Sequence, residues 1–311
     1  MRHYRHSFPQ AVCLDPASPA LGYRQFSYGT IREMAARTLD VSIIGLGNWG
    51  SSLAAALTAA RVPLREVVVR KRRRTGFPAV AWKNAALDAR ILWLCVPDSA
   101  IAATAARIVR RRPHLAGQLV LHSSGALATA ELEAARRAGA QVASVHPVMT
   151  FPTRDAVPLA GVFFGIEAET PDARRVLRSL VRKLGGKPFD LRSADKAMYH
   201  VAGTLASPLL VAALAAATES ARLAGLDEKM AQRWVQSLAG PTIRNVFTRG
   251  AAKSFSGPFA RGDAGTIRLH LRALDAHPIL AAVYRALASH SVQSLPVKNA
   301  RALSKVLGES S

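Results

Sequence analysis

Cysteine and acidic residues are both scarce in this chain of 311 residues. The two cysteines, Cys13 and Cys95, are too few for a disulfide framework or a metal cluster, so no metal site is predicted. The N-terminal residues also lack the uninterrupted apolar core of a secretory signal. Both observations fit a reducing compartment, and we expect a cytoplasmic protein.

Acidic side chains number 20 against 42 lysines and arginines, which gives a formal net charge of +22. A charge of this size favours polyanions, including nucleic acids. The basic residues are spread along the whole chain, however. Aromatic residues make up only 6% of it and show no interleaved pattern that would stack bases. We therefore expect no nucleic-acid partner despite the charge.

One uncharged segment bears on whether the chain could span a membrane. The segment 201–218 carries no charge, but it contains Gly203, Ser207 and Pro208 and is only marginally long enough to span a bilayer. We expect no membrane partner and interpret the segment as a buried helix. Because a helix this apolar has no side suited to water, either a deep core or the partner in a homodimer must cover it.

A glycine-rich turn is the most informative feature that is present. An apolar strand pattern over Val41–Ile44 leads into Gly-x-Gly-x-x-Gly, and residues 51–60 are typical of a helix. At this spacing the first glycine permits the turn, the second lets the backbone approach a pyrophosphate, and the third lets helix and strand pack closely. The free N–H groups that begin the helix also favour phosphate. The pattern predicts a dinucleotide site formed by Gly45, Gly47, Asn48, Trp49 and Gly50.

The end of the next strand indicates which dinucleotide binds. A buried strand pattern over residues 67–69 is followed directly by Arg70 and further basic residues. An acidic side chain at this position binds the ribose hydroxyl of NAD, whereas an arginine accommodates the 2′-phosphate of NADP. A guanidinium suits phosphate because it donates two parallel hydrogen bonds. We therefore predict NADP(H) as the cofactor, with Arg70 on the phosphate and Arg72 as the second choice.

Strand and helix patterns alternate from residue 39, which is typical of an α/β fold with a doubly wound parallel sheet, the Rossmann arrangement. The predicted strands cover 41–44, 67–69, 91–96, 118–122, 141–145, 162–166 and 187–190. Beyond residue 192 the predicted elements are helices over 195–224, 227–238, 265–274 and 278–289. We predict a poorly ordered basic tail over 1–37, an NADP-binding domain over 38–192, and an all-helical domain for substrate binding and dimerisation over 193–311.

Small and polar residues follow the ends of the predicted strands, where doubly wound sheets bind ligands. Val96 and Pro97 are expected to pack on the nicotinamide end of the cofactor. Ser123 is expected to bind the cofactor amide or a substrate carboxylate. His122 is interpreted as making a local hydrogen bond, and His146 stays open between a local role and a site role.

The helical part supplies the candidate catalytic groups. Lys196 and His200 are four residues apart on one helix face, where either one suits the proton donor that carbonyl reduction requires. A solvated polar face is the alternative. Arg261 is predicted to hold a substrate carboxylate through paired hydrogen bonds, and Asp263 is expected to cap the next helix.

These motifs together resemble a family of bacterial Rossmann-like oxidoreductases whose helical C-terminal domain is of unknown function. The resemblance rests on GLGNWG (45–50), CVPDS (95–99), HSSG (122–125), HPVMTF (146–151), KAMYH (196–200) and GPFARGD (257–263). It extends more loosely to ketopantoate reductases, pyrroline-carboxylate reductases and β-hydroxyacid dehydrogenases. In those groups the helical domain forms dimers and a lysine on its first long helix donates the proton. The resemblance implies that role for Lys196.

The resemblance also implies an activity. It implies an NADPH-dependent oxidoreductase that reduces a small carbonyl substrate, such as the 2-oxo acid ketopantoate. The sequence departs from the family pattern at Pro208, where the resemblance implies an asparagine. This departure leaves open an alternative, a non-catalytic NADP-binding sensor or scaffold.

Overall fold

The computed structural model describes residues 39–71 and 75–308. The predicted tail over residues 1–37 lies outside the described residues. So does Arg72, the second candidate for the cofactor phosphate.

The described residues form a sheet of eight strands in the order β3-β2-β1-β4-β5-β6-β7-β8. The strands are β1 (Val41–Ile44), β2 (Leu64–Val69), β3 (Ala79–Ala81), β4 (Ile91–Leu94), β5 (Leu119–His122), β6 (Gln141–Pro147), β7 (Phe163–Ala168) and β8 (Lys187–Asp190). All neighbours are parallel except β6 and β7, which are antiparallel. The predicted doubly wound sheet is confirmed.

Two details of the sheet differ from the prediction. The strand β3 is absent from the predicted strands because three half-buried residues are too few to show an alternating pattern. The antiparallel pairing of β7 was not expected either. It arises because the segment 148–162 contains no helix, and a parallel neighbour usually needs a helical crossover.

Helices cover both faces of the sheet, as a doubly wound fold requires. They are α1 (Asn48–Ala59), α2 (Ile101–Arg111), α3 (Glu133–Arg137) and α4 (Pro171–Lys183). Leu53 of α1 and Leu177 of α4 pack against one face of the sheet. Ile108 of α2 and Ala135 of α3 pack against the other face. The sheet therefore lies between two separate apolar cores.

The described residues after β8 form helices and their connections. The helices are α5 (Lys196–Ala206), α6 (Pro208–Leu223), α7 (Glu228–Arg249), α8 (Ala251–Ser254), α9 (Gly257–Arg261), α10 (Ala264–Ala273), α11 (Pro278–Ser294) and α12 (Ala300–Leu307). A small core joins α10, α11 and α12 through residues such as Ile267, Val292 and Leu303. The predicted change from sheet to helices is confirmed, and the exact domain boundary near residue 192 stays a prediction.

Two predicted helix boundaries are wrong at prolines, and the helix predicted to end at residue 289 instead runs to Ser294. The single helix predicted over 195–224 is broken at Ser207, because Pro208 lacks the N–H that would continue it. The helix predicted to end at residue 238 instead runs to Arg249 with Pro241 inside it. In α7, packing against α6 outweighs the hydrogen bond that the proline removes.

Many apolar side chains of α5, α6 and α7 are exposed in the single chain. Met198, Val201, Leu205, Leu209, Val211, Trp234, Leu238 and Phe247 form what we term the apolar helix surface. Their exposure is large, reaching 72% for Met198 and 86% for Phe247. The expectation that the segment 201–218 is buried is therefore wrong for the chain alone.

The same region is the one candidate for a membrane span among the described residues. The stretch Ser193–Leu223 is long and apolar enough to cross a bilayer, and none of its most apolar window is buried. Length and composition alone are weak evidence for a span, because a helix that packs against another protein passes the same test.

Candidate active site

The candidate site lies at the carboxyl edge of the sheet. Strands β1, β4, β5 and β6 all end there. β1 lies between β2 and β4 in the sheet order, so the direction of winding reverses between β1 and β4. Ligands of doubly wound sheets bind in the crevice at such a reversal. The glycine turn after β1 and the loop after β4 therefore line the expected crevice.

The glycine turn has two crowded glycines and one open glycine between them. At Gly45 a side chain would collide with the backbone carbonyl of Cys95, and at Gly50 it would collide with the carbonyl of Gly45. At Gly47, by contrast, nothing lies within 4 Å of where a Cβ would project. Gly45 and Gly50 are thus required by packing, whereas Gly47 leaves an open cradle at the start of α1. This is the arrangement that the sequence pattern predicts.

The first turn of α1 offers backbone N–H groups to this cradle. The helix begins without a side-chain cap on its N–H groups and has no acidic residue in its first turn. The side chains of Asn48 and Trp49 face the protein instead. The amide of Asn48 donates to the carbonyl of Phe151 at 2.8 Å, and the indole of Trp49 packs at a tilt against the ring of Phe151. Asn48 and Trp49 can therefore contribute backbone N–H groups to a ligand, whereas their side chains hold the neighbouring loop.

Ser123 is fixed by two indole rings. Trp49 and Trp93 each donate their Nε1–H to its Oγ at 2.8 Å. Because the oxygen already accepts two hydrogen bonds, the hydroxyl retains its own proton for donation to a ligand. Val96 is half-buried and Pro97 exposed directly after β4, next to the glycine turn.

Arg70 lies directly after β2, at the same edge of the sheet, and is exposed. No hydrogen bond or ion pair engages its guanidinium within the described residues. The side chain is therefore available to a ligand at the tip of β2.

Lys196, at the start of α5, is buried against the sheet rather than exposed in the crevice. Its Nζ donates to the Ser124 carbonyl at 3.0 Å and to Ser144 Oγ at 2.6 Å, and it forms an ion pair with Glu167 at 3.4 Å. Only 1% of the residue is exposed. Burial lowers the pKa of Lys196, and the carboxylate of Glu167 opposes this shift. The ammonium thus connects α5 to β6, β7 and the turn after β5.

Glu167 is the acidic partner that the sequence did not reveal. One of its oxygens accepts hydrogen bonds from the backbone and hydroxyl of Thr129 and from the hydroxyl of Ser193. Burial would raise the pKa of Glu167, but hydrogen bonds from Ser193 and Thr129 and the charge of Lys196 outweigh it and lower the pKa. Glu167 therefore carries a negative charge within the structure.

The two histidines at the strand ends have different surroundings. His122 accepts a hydrogen bond from the N–H of Ser124 at Nδ1 and lies 3.1 Å from the carbonyl of Ala128 at Nε2. Its predicted local role is confirmed. His146 lies 2.6 Å from the hydroxyl of Tyr199 through Nδ1, and its ring is adjacent to His200.

His200 and Lys196 are on the same helix, as predicted, but they face different surroundings. His200 is exposed, and its ring lies beside the backbone of Gly125 at the carboxyl edge. Lys196 is enclosed one turn earlier. The spacing of the two residues shows that they share a helix face, but it does not show how deeply each side chain is buried.

Arg261 is not joined to these groups. It ends the short helix α9, is exposed, and makes no hydrogen bond or ion pair with Lys196, His200 or the glycine turn within the described residues. The neighbouring Asp263 caps α10 by accepting from the N–H of Thr266, so its predicted role is confirmed.

Comparison with known proteins agrees with this architecture. Residues 27–147 match a Rossmann-like domain, and residues 162–291 match a domain of unknown function, DUF2520. The chain is therefore a Rossmann-like protein with a DUF2520 domain, as the sequence resemblance implies. No curated protein matches the chain.

Solved structures share the fold at low sequence identity. A candidate NADP oxidoreductase from Bacteroides fragilis is 21% identical, with a TM-score of 0.65 over 81% of this chain and 96% of its own. Pyrroline carboxylate reductase from Plasmodium falciparum, with NADP bound, is 13% identical, with a TM-score of 0.55 over 87% and 97%. An imine reductase from Pseudomonas sp. is 17% identical, with a TM-score of 0.58 over 87% and 100%. These likenesses concern the fold.

The buried pair of Lys196 and Glu167 gives a prediction for stability. Replacing Lys196 by Met leaves the Glu167 carboxylate buried without its cation, which we expect to lower the free energy of unfolding by about 3–5 kcal/mol. Adding Glu167→Gln removes the unpaired charge and should restore part of that loss. Urea unfolding of both variants measures the difference.

Lys183→Met, at an exposed position on α4, provides the control for loss of a lysine and should change the free energy by less than about 0.5 kcal/mol. Equal unfolding free energies for Lys196→Met and this control would contradict the assignment of a buried ion pair.

Proposed function

We propose that the protein is an NADPH-dependent oxidoreductase that reduces a small carbonyl substrate, with a 2-oxo acid such as ketopantoate as the first candidate. The observation that carries the proposal is the open cradle at Gly47, enclosed by two glycines that packing requires and placed at the start of α1. A backbone shaped in this way suits a pyrophosphate.

Several further observations support NADP(H) as the cofactor. Arg70 is exposed at the tip of β2, where the 2′-phosphate of NADP would lie, and no described residue pairs with its guanidinium. Two of the proteins that share the fold are described as an NADP oxidoreductase candidate and a reductase with NADP bound. In the proposed complex, Val96, Pro97 and Ser123 lie near the nicotinamide.

When bound, NADPH supplies the hydride, and the protein must supply orientation and a proton. The N–H groups of α1 hold the pyrophosphate and Arg70 holds the phosphate. His200 is the stronger candidate for proton donor because it is exposed at the carboxyl edge. Lys196 is a weaker candidate, since two hydrogen bonds and an ion pair already engage its ammonium. Its proposed part is to fix the first turn of α5 and the Ser124 carbonyl.

Arg261 remains the proposed partner of a substrate carboxylate. Its guanidinium is exposed and free of ion pairs in the described residues; after it, Gly262 adopts the left-handed backbone conformation and Asp263 caps α10. A planar guanidinium binds a carboxylate through two parallel hydrogen bonds.

The function is tested by NADPH oxidation with ketopantoate, other small 2-oxo acids and cyclic imines as substrates. We expect turnover of at least one carbonyl substrate with NADPH, and slower turnover with NADH at the same concentration. NADPH binding without turnover of any substrate would favour the alternative, a non-catalytic NADP-binding sensor or scaffold, which the proline at position 208 also supports.

The cofactor assignment gives a second prediction. Replacing Arg70 by Asp removes two charge-assisted hydrogen bonds to the 2′-phosphate and adds a repelling charge, so the Kd for NADPH should rise by at least about 10-fold. The Kd for NADH should change by less than about 3-fold. Fluorescence titration of both nucleotides measures the two constants.

Arg182→Asp, which makes the same charge change at an exposed position on α4, should leave both constants unchanged. A parallel loss of NADPH affinity in both variants would indicate a general effect of net charge and would contradict the role of Arg70.

We also propose that the protein is a soluble, cytoplasmic homodimer in which a second copy covers the apolar helix surface. More of the large exposed apolar side chains lie on the consecutive helices α5, α6 and α7 than on the later helices, where Leu269 of α10 and Ile279 and Leu287 of α11 are also exposed. On α7 these side chains alternate with exposed charges such as Arg233 and Arg249, which suits a protein interface better than the interior of a bilayer.

The dimer is tested by light scattering after size exclusion. We expect a mass of about twice the 33.2 kDa of one chain, and dissociation or aggregation when Leu238, which is 60% exposed, is replaced by Glu. The control Leu269→Glu changes an exposed leucine on α10 outside this surface. If the wild-type protein is a soluble monomer, or if it partitions into lipid vesicles, the proposed dimer is wrong.

A further inference from the structure

His146 and Tyr199 form a hydrogen-bonded pair between the sheet and the helical part. His146 is near the end of β6, and Tyr199 is in the first turns of α5. The Tyr199 hydroxyl lies 2.6 Å from Nδ1 of His146, and the two rings are perpendicular, with centroids 5.5 Å apart. A single hydrogen bond thus fixes the orientation of the imidazole at the carboxyl edge of the sheet.

The opposite nitrogen of His146 faces the turn after β5. A Cβ added to Gly125 would lie 2.8 Å from Nε2 of His146 and 2.7 Å from Cδ2 of His200, so both imidazole rings lie against the bare backbone there. Within the described residues no group forms a hydrogen bond with Nε2 of His146. One ring nitrogen is therefore fixed, and the other lies beside His200 without a hydrogen-bond partner among the described residues.

Burial is the main reason that this imidazole is neutral. Burial, followed by electrostatic interactions with His200 and Lys196, lowers the pKa of His146 to about 4, although Asp98 opposes the shift. Burial raises the pKa of Tyr199 to about 12, so the phenol keeps its proton. Because a phenol O–H is the better donor and an imidazole nitrogen the better acceptor, Tyr199 donates to Nδ1. The proton of the neutral ring then lies on Nε2.

We propose that His146 binds the oxygen of the substrate carbonyl through its Nε2–H, beside His200, and that Tyr199 is a positioning residue that fixes this tautomer. The inference rests on the proposed reductase function and refines its substrate class. A neutral N–H donor binds and polarises a carbonyl oxygen, which has free lone pairs. A protonated imine has no lone pair on nitrogen to accept that hydrogen bond. The site should therefore prefer carbonyl compounds to cyclic imines.

The test compares Tyr199→Phe with a matched control in the same chain. Tyr284 makes the equivalent contact with Nδ1 of His270, at 2.8 Å, within the C-terminal helices. Tyr284→Phe therefore removes the same type of hydrogen bond without touching the strand ends. Both variants are assayed with NADPH and the best carbonyl substrate of the wild type, and with 1-pyrroline-2-carboxylate as the cyclic imine.

Three readouts are expected to separate the two variants. Tyr199→Phe should lower kcat/KM for the carbonyl substrate at least about 10-fold, while the Kd for NADPH stays within about 2-fold. The ¹⁵N spectrum of His146, taken without cofactor, should show the Nε2–H tautomer in the wild type and a mixture of tautomers in the variant. Tyr284→Phe should match the wild type in all three.

Two substitutions of His146 keep the proposal testable if Tyr199→Phe does not fold. His146→Gln retains an N–H donor and should keep more carbonyl reduction than His146→Leu, which retains none. Equal activities of these two variants would overturn the role of His146.

The remaining outcomes separate this inference from the function on which it rests. If Tyr199→Phe changes neither the carbonyl turnover nor the tautomer of His146, the inference alone is overturned. The same holds if the wild type prefers the imine. A wild type that reduces neither class would overturn the proposed reductase function and this inference with it.

Discussion

The arrangement of the site depends on one buried cation. The ammonium of Lys196 lies beneath the turn after β5, where a backbone carbonyl, the hydroxyl of Ser144 and the carboxylate of Glu167 surround it. A buried charge is tolerated only when it is paired in this way, so the contact fixes where α5 meets the sheet. Tyr199 and His200 lie on the next turn, and their positions over the strand ends follow from that contact.

The crevice consequently has two halves with different physical origins. One half is backbone: the glycine turn and the first turn of α1 offer N–H groups and an open cradle at Gly47. The other half is made of side chains that the sheet and α5 bring together, chiefly His146, Tyr199 and His200. The first half suits the phosphates of a dinucleotide, and the second suits the reacting end of a small substrate.

Sequence reasoning predicted the half that depends on local structure. The strand, the glycine turn and α1 are contiguous, so spacing alone indicated the cradle, and the strand ends pointed to Ser123. It could not show that Lys196 is buried, because Glu167 is 29 residues away on a strand whose antiparallel pairing was not expected. The pair of His146 and Tyr199 spans 53 residues and has no sequence signature. Pairings of this kind depend on tertiary structure rather than on periodicity.

The central claim is that the carboxyl edge of this sheet is an NADP(H) site, and equilibrium titration of the wild-type protein with NADPH and with NADH tests it most directly. In the proposed complex the cradle at Gly47 binds the part that both nucleotides share and Arg70 binds the 2′-phosphate that only NADPH has, so both nucleotides should bind. NADPH should bind at least about 10-fold more tightly. Absence of binding, or equal affinity for the two nucleotides, would contradict the account.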